Sequence, residues 1–187
     1  MQTPYPAFDG VFIVVSGLPA SGKTTLARRL AGHLDLPLID KDDILERMFE
    51  EQGSVSPAVR SLLSRRSDGL LQASAMGKRA AVVVSYWQNP DRSDSTGTPS
   101  GWLRSLPGHV IEVHCKCSPE LARQRFANRS RHTGHNDAER MPAFLTMFDE
   151  IARRYPLKVG PYIEVDVSPD LDIAWLARRI ASKRPDR

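Results

Sequence analysis

A short segment near the start of the sequence combines two glycines, a lysine and a threonine at a spacing suited to phosphate chemistry. The pattern G-x-x-x-x-G-K-[ST] is matched by Gly17-Leu18-Pro19-Ala20-Ser21-Gly22-Lys23-Thr24. The glycines let backbone N–H groups approach a polyphosphate, and a helix that starts near Gly22 directs its partial positive end toward the same charges. Lys23 supplies a cation for the β and γ oxygens, and Thr24 supplies a hydroxyl ligand for Mg²⁺. We therefore predict that this loop, together with Thr25, binds a nucleoside triphosphate with magnesium.

The flanking sequence contains the strand and the helix that such a loop requires. Before it, residues 11–15 form an unbroken apolar and mostly β-branched run. After it, Leu26, Leu30 and Leu34 recur at helical spacing. The alternative is an accidental glycine-rich turn, but strand, loop and helix follow one another in the required order. This context favours nucleotide binding.

A cluster of acidic residues ends a second predicted strand, over residues 36–40. The cluster reads Asp40-Lys41-Asp42-Asp43. In open α/β sheets the carboxyl ends of the strands line one crevice, so we expect the cluster to face the phosphate loop. A kinase needs a carboxylate there to orient an acceptor hydroxyl and take its proton, and we assign this role, and a share in metal binding, to Asp42. The alternative is that these acids only cap the following helix, which is the role that we favour for Asp43.

Strand and helix patterns alternate along the rest of the chain. The predicted strands cover residues 11–16, 36–40, 80–86, 109–115 and 162–167. The predicted helices cover about residues 22–33, 41–50, 58–78, 120–129 and 141–155, and a last one starts at Ser168-Pro169-Asp170. Between them, residues 88–101 form an unusually long polar loop. We predict one α/β domain over residues 1–187, a P-loop NTPase with an open five-stranded parallel sheet flanked by helices.

The phosphate loop, the acidic cluster and two arginines in the helix after strand four together resemble a known family. The arginines are Arg125 and Arg129. These motifs are similar to those of the P-loop kinases of the nucleoside-monophosphate-kinase-like group, which includes gluconate and shikimate kinases, chloramphenicol phosphotransferase, the zeta toxins and the polynucleotide kinase domain. In polynucleotide kinase and its relatives, the base is the first member of an Asp-Asp pair after strand two. The resemblance therefore also places the base on Asp42.

The resemblance further implies a lid over about residues 125–140 that closes on the triphosphate. Arg125 and Arg129 are four residues apart, which places them on one face of a predicted helix. The resemblance implies that they bring guanidinium charge onto the transferring phosphoryl group, where cations contribute most in the transition state. The alternative is a solvated basic helix face, which we favour for Arg131.

Four residues are candidates for contact with the acceptor. Asp40 precedes the predicted base, and Arg47 lies on the next helix, where its guanidinium can meet polar groups of an acceptor. Tyr86 and Trp87 end the third strand and can form flat walls of an acceptor pocket, with core packing as the alternative. Directly before them stands Ser85, at a position where relatives commonly place an acidic residue that holds the metal's water shell.

Composition argues against several other classes of function. The 187 residues carry a formal net charge of +4, and the basic residues are interspersed and not gathered into a nucleic-acid groove. Cys115 and Cys117 are expected to be free thiols in a cytoplasmic protein. We find no signal segment and no apolar run of membrane-spanning length. A regulatory GTPase would carry a guanine-reading motif such as Asn-Lys-x-Asp, which does not occur in the sequence.

These observations favour an ATP-dependent phosphotransferase with ATP and Mg²⁺ as cofactors. Its acceptor is predicted to be a hydroxyl of a small molecule such as a sugar, a nucleoside-like compound or an antibiotic. The predicted catalytic residues are Asp42, Lys23, Arg125 and Arg129. A polynucleotide 5'-hydroxyl kinase and a regulatory P-loop NTPase are the alternatives. A monomer or a homodimer is expected. The choice of acceptor and the choice between ATP and GTP depend on the shape of the pocket.

Overall fold

A computed structural model describes residues 8–53, 55–92 and 96–184, apart from the side chains of residues 138 and 140. Most of the predicted lead-in and residues 93–95 of the long loop lie outside it. The strands are β1 (Val11–Gly17), β2 (Leu38–Asp40), β3 (Ala81–Val84), β4 (His109–Lys116) and β5 (Tyr162–Asp166). The helices are α1 (Lys23–Leu34), α2 (Lys41–Gln52), α3 (Pro57–Met76), α4 (Pro119–Asn128), α5 (Asp137–Leu145), α6 (Phe148–Ala152) and α7 (Ile173–Ala181). Within the described ranges, none of these helices has the length and apolar character needed to cross a membrane.

The five strands form one parallel sheet in the order β2-β3-β1-β4-β5. β1 is central, with Val14 paired to Val83 of β3 and to Glu112 of β4. Every residue of β1 is buried, because α1 and α7 pack on one face of the sheet and α3 packs on the other. This architecture confirms the predicted fold class. It also brings the carboxyl ends of β1, β2 and β3 to one edge of the sheet.

The single helix predicted over residues 141–155 is wrong. The structure has two helices there, α5 and α6, separated by Thr146 and Met147. At this break, Arg123 Nε of α4 donates a hydrogen bond to the Leu145 carbonyl oxygen at 3.1 Å. The Leu145 carbonyl group therefore bonds to a side chain of another helix. In the continuous helix that the spacing predicts, it would accept a backbone N–H of the next turn.

The predicted start of the last helix is also wrong. The sequence Ser168-Pro169-Asp170 forms a turn, in which the Leu171 N–H donates to the Ser168 carbonyl oxygen at 3.2 Å. The helix cap is Asp172, whose Oδ1 accepts a hydrogen bond from the Trp175 N–H at 3.0 Å. Ser168 and Asp172 are both residue types suited to capping a helix. The packing of α7 against the sheet selects Asp172.

Trp87 lies in the core and not on the surface of a pocket. Its side chain is fully buried, and its Nε1–H donates a hydrogen bond to the Val15 carbonyl oxygen at 2.9 Å. Its ring meets that of Trp102 edge to face, with 6.2 Å between the centroids. The predicted role of Trp87 as an acceptor wall is therefore wrong, and the alternative of core packing holds.

We predict that Trp87→Phe destabilises the fold, because the variant loses the hydrogen bond to Val15 and part of the buried ring volume. The expected decrease in the free energy of unfolding is about 1–3 kcal/mol, measured by urea unfolding. The control is Trp175→Phe on α7, where the side chain is 39% exposed and a change within about 0.5 kcal/mol is expected. Equal effects of the two substitutions would contradict the structural role of Trp87.

Candidate active site

A cleft of about 840 Å³ opens at the edge of the sheet where the strands end. Its volume lies within the range of about 300–1,000 Å³ that is usual for small-molecule sites. The lining is drawn from the loop after β1, the start of α2, the end of β3, residues 96–98, and the segment that runs from α4 to α6. The topology therefore brings the predicted phosphate loop and the predicted base into one cavity.

The phosphate loop has the backbone conformation of an anion cradle. Gly17 has φ +138°, and a Cβ atom there would lie 2.8 Å from the Cys115 carbonyl oxygen, so only glycine fits. Gly22 has φ +96° and precedes α1 without any side-chain cap. The first-turn N–H groups of α1, which include those of Thr24 and Thr25, therefore keep their capacity to bind a phosphate.

Lys23 projects from this loop into the cleft. Its Nζ donates a hydrogen bond to the Leu18 carbonyl oxygen at 2.6 Å, so the side chain folds back over the loop. Burial lowers the pKa of Lys23 from its ordinary value to about 8, against the opposing influence of acidic neighbours that include Asp42. The negative charge of a bound polyphosphate would stabilise the ammonium form and raise this pKa again.

A buried polar network holds the loop from behind. The Tyr155 hydroxyl donates to the Gly17 carbonyl oxygen at 2.9 Å. The Ser16 hydroxyl donates to Glu112 Oε1 at 2.7 Å, and the same carboxylate accepts the Leu157 N–H, with 2.9 Å to Oε2. Glu112 is completely buried. Sequence patterns did not identify this network, because its members come from separate elements of the chain.

Asp42 lies in the first turn of α2 and faces the cleft. Its Oδ2 accepts a hydrogen bond from Arg131 Nη2 at 2.5 Å, and 48% of its side chain is exposed. Burial raises the pKa of Asp42, but the positive charges of Arg131, His135 and Lys23 outweigh this and hold the pKa below its ordinary value. Asp42 is thus an ionised carboxylate at neutral pH, which can accept a proton.

Asp40 and Asp43 occupy different environments from Asp42. Asp40 is buried beside Thr24. Its Oδ1 caps α2 by accepting the Asp42 N–H at 2.9 Å, while its Oδ2 has no hydrogen-bond partner within the described residues. Burial and the neighbouring charge of Asp42 raise the pKa of Asp40 to about 6. Asp43 pairs with the exposed Arg28 at 3.0 Å and does not line the cleft. The three carboxylates therefore have three different sets of partners.

The lid arginines form an alternating chain of charges with two aspartates. Arg129 Nη2 lies 2.9 Å from Asp137 Oδ2, and Arg131 Nη1 lies 3.7 Å from the same oxygen. Through its other nitrogen, Arg131 reaches Asp42. Burial and the charge of Arg131 lower the pKa of Arg129 to about 10, and Asp137 opposes this shift. Asp137 therefore offsets the repulsion between the two guanidinium groups.

The predicted placement of Arg125 and Arg129 on one helix face is wrong. α4 ends at Asn128, and Arg129 is its C-cap, with an extended backbone. Arg125 is exposed and lines the cleft, whereas Arg129 stacks over the Phe126 ring with Cζ 3.8 Å from the centroid. Arg131, for which a solvated face was favoured, is the arginine that contacts Asp42. Helical spacing missed Arg131 and Asp137 because both lie beyond the end of α4.

The segment that the resemblance predicts to be a lid packs against α2 and α3. His135 is buried, and its Nε2 lies 2.8 Å from Glu46 Oε1. Gly134 lies against the Phe49 ring, where a Cβ atom would approach to 2.5 Å. Arg60 Nε of α3 donates to the His135 carbonyl oxygen at 2.9 Å. These contacts hold the segment where Arg131 reaches Asp42 at the start of α2.

The predicted acceptor residues divide between the cleft and other places. Asp40 and Tyr86 line the cleft, whereas Trp87 is in the core. Arg47 is exposed and is not part of the cleft lining, because its position on α2 turns it away from the face that carries Leu45. The Ser85 hydroxyl is buried and hydrogen-bonded to Thr98 Oγ1 at 2.6 Å. The predicted contact of Arg47 with the acceptor therefore has no geometric support.

We predict that the Asp40 carboxylate destabilises the folded chain at neutral pH. Its folded-state pKa of about 6 exceeds the ordinary 3.8, so the folded chain holds the Asp40 proton more tightly than the unfolded chain does. Asp40 therefore costs no stability below about pH 4, and the stability of the fold decreases as the pH rises from 4 through 6. This difference amounts to about 3 kcal/mol at most. Asp40→Asn keeps a capping oxygen, so we expect the variant to be about 2–3 kcal/mol more stable than wild type at pH 7 and similar near pH 4.

The measurement is urea unfolding from pH 4 to pH 8 in magnesium-free buffer. Asp43→Asn is the matched control, because it makes the same change of chemistry at a side chain that is 39% exposed and outside the cleft lining. If wild type and Asp40→Asn differed by the same amount at every pH, the raised pKa of Asp40 would be disproved.

Comparison with known proteins identifies related sequences. The family described as "AAA domain" matches residues 12–153. A cytidylate kinase of Methylobacterium sp. (strain 4-46) is 28% identical over 167 residues, which cover 76% of this chain and 77% of that protein. A shikimate kinase of Corynebacterium glutamicum is 41% identical over 58 residues, which cover 27% of this chain and 33% of that protein. The three curated relatives with higher identity are matched over only 18% to 33% of their own lengths.

A solved structure from Chloroflexus aurantiacus j-10-fl, provisionally assigned as a kinase, has the same architecture. It is 25% identical in sequence and superposes with a TM-score of 0.76, covering 95% of this chain and all of that one. The similarity therefore extends over nearly the whole chain.

Proposed function

The chain belongs to the AAA domain family, and we propose that it is an ATP-dependent kinase that phosphorylates a hydroxyl group of a small molecule. The observation that carries the proposal is the ionised Asp42 carboxylate, which lies in the same cleft as the phosphate loop and beside the lid arginines. The relatives named as cytidylate and shikimate kinases support a kinase of small molecules.

The charge of Asp42 favours an alcohol over a phosphate as the acceptor. An alcohol has to lose its proton as it attacks, and a nearby carboxylate can accept that proton. A phosphate oxygen has no such proton at neutral pH and would bring more negative charge against Asp42. The half-exposed position of Asp42 leaves room for a hydroxyl to approach it.

Each group in the cleft has a definite task in the transfer. The α1 amides and Lys23 bind the β- and γ-phosphates and hold the γ-phosphoryl group at the edge of the sheet. The acceptor hydroxyl replaces Arg131 as the hydrogen-bond partner of Asp42. Its proton then passes to the carboxylate while its oxygen bonds to the γ-phosphorus and the bond to the β-phosphate oxygen breaks, which yields ADP. Arg131 and Arg129 line the same cleft and stabilise the charge on the moving phosphoryl group.

Thr24 at the start of α1 and Asp40 at the end of β2 provide oxygen atoms that suit magnesium. Thr24 offers a hydroxyl oxygen, and the buried Asp40 offers a carboxylate oxygen without a hydrogen-bond partner among the described residues. Hard oxygen donors of this kind are the ligands that Mg²⁺ prefers, directly or through water. The sequence predicts Asp42 as the carboxylate ligand, but the ion pair of Asp42 with Arg131 makes Asp40 the better candidate. The metal would neutralise charge on the phosphates.

We predict that Asp42→Asn abolishes most of the activity without preventing nucleotide binding. The variant keeps the size of the side chain but removes the proton acceptor, so kcat is expected to fall about 10²–10⁴-fold. The measurement is ATP consumption over a panel of hydroxylated compounds, with nucleotide affinity measured separately. Asp43→Asn, on the same helix turn and outside the cleft, is expected to retain activity. Turnover of every acceptor at the wild-type rate by Asp42→Asn would eliminate Asp42 as the base.

We predict that Arg129→Ala slows phosphoryl transfer far more than it weakens ATP binding. The guanidinium contributes most when charge spreads over the transferring group, so kcat is expected to fall about 10²–10³-fold and ATP affinity by less than about tenfold. Single-turnover rates and nucleotide titration separate the two effects. Arg66→Ala, an exposed arginine of α3 outside the cleft lining, serves as the charge-matched control. An unchanged kcat for Arg129→Ala would remove this residue from the mechanism.

A further inference from the structure

One side of the cleft is an aromatic and apolar surface, which we call the aromatic wall. It consists of Tyr86, Phe144 and Met147, all of which line the cleft and are half-buried. The rings of Tyr86 and Phe144 meet edge to face with 5.7 Å between their centroids. Phe126 stacks behind Phe144 at 5.1 Å. The wall therefore presents a continuous apolar surface to whatever occupies the cleft.

Core packing accounts for some neighbouring rings but not for this wall. Phe148 is fully buried, and Phe126 is 3% exposed, so both belong to the core beneath the wall. Tyr86 and Phe144 are not fully buried, and the surface that they keep faces the cleft. Apolar surface inside a concave site gains free energy when a ligand covers it.

A buried arginine fixes the orientation of the Tyr86 ring. Arg154 is 1% exposed, and its Nη1 donates a hydrogen bond to the Tyr86 hydroxyl at 2.9 Å and another to the Thr96 carbonyl oxygen at 2.9 Å. Its Nη2 lies 3.0 Å from Glu150 Oε1. Burying a guanidinium is costly unless it is paired and hydrogen-bonded, as it is here. The Tyr86 hydroxyl also lies 3.2 Å from Thr96 Oγ1. Because Arg154 and Thr96 are the partners of the hydroxyl, the ring is the part of Tyr86 that is left to contact a ligand.

We propose that the acceptor is an alcohol that carries an aromatic group, which packs on the aromatic wall while its hydroxyl reaches Asp42. This inference rests on the proposed kinase function and specifies its substrate class. A ring held by Arg154 binds another ring with little loss of side-chain freedom, and ring contacts favour aromatic partners over saturated ones. An acceptor covered with hydroxyl groups would instead leave some of them unpaired against the wall.

The test compares three alcohols that differ in their apolar group. The probes are 3-phenyl-1-propanol, 3-cyclohexyl-1-propanol and xylitol, titrated by ligand-observed NMR in the presence of magnesium and a non-hydrolysable ATP analogue. We expect the phenyl compound to bind about tenfold or more tightly than xylitol, with the cyclohexyl compound between them. Equal or tighter binding of xylitol, or no measurable binding of the phenyl compound, would overturn the proposal.

Substitutions in the wall locate the binding. Phe144→Leu keeps apolar volume but removes the ring, and Phe144→Ala removes both, so we expect stepwise losses of phenyl-compound affinity that reach about tenfold. Leu62→Ala on α3 is the control, because Leu62 is 59% exposed and lies outside the cleft lining. Thermal unfolding of each variant verifies that it is folded. If both Phe144 variants kept wild-type affinity, the wall would not be the binding surface.

Turnover separates this proposal from the kinase function on which it rests. Phosphorylation of polyols but not of aromatic alcohols, dependent on Asp42, would refute the aromatic acceptor and leave the kinase function intact. Phosphorylation of aromatic alcohols, lost in Asp42→Asn, would support both. If no hydroxylated compound showed turnover dependent on Asp42, the proposed function itself would fail, whatever the binding of the phenyl compound.

Discussion

The burial of β1 on both faces is the constraint on which the rest of the structure depends. A parallel strand covered by helices on both sides carries few polar side chains along its length, and the exception here, Ser16, is hydrogen-bonded to Glu112. Polar side chains are therefore concentrated where the strands end. Because all five strands run in the same direction, the phosphate loop, the acidic cluster and the end of β3 reach the same edge.

The cleft at this edge gathers many charges of both signs, and their order determines what each can do. Asp42, Arg131, Asp137 and Arg129 alternate in sign, so each charge has an opposite neighbour. This order keeps Asp42 ionised and holds two guanidinium groups near the place where a phosphoryl group would move. It also means that the resting contact between Asp42 and Arg131 has to open when an acceptor arrives.

The proposed acceptor surface is built from different elements than the charged groups. The residues of the aromatic wall come from the end of β3, from α5 and from the turn after α5, and they line the same cleft as Asp40 and Asp42. Tyr86 is held there by Arg154, a residue far along the chain that no local pattern connects with β3. Relatives with the same phosphate loop can therefore differ in substrate, since the wall can change while the charged groups stay.

Features that depend on neighbouring residues can be predicted from the amino-acid sequence. The phosphate loop, the order of strands and helices, and the position of Asp42 at the start of α2 follow from local spacing and from the direction of parallel strands. Other features require the three-dimensional structure. They are the contact of Arg131 with Asp42, the burial of Trp87 in the core, the position of Arg47 outside the cleft, and the end of α5 at Leu145. Each of these depends on contacts between distant segments, such as Arg131 with Asp42 and Arg123 with Leu145. Helical and strand periodicity carry no information about such pairs, because long-range contacts are selected by packing and charge compensation over the whole chain.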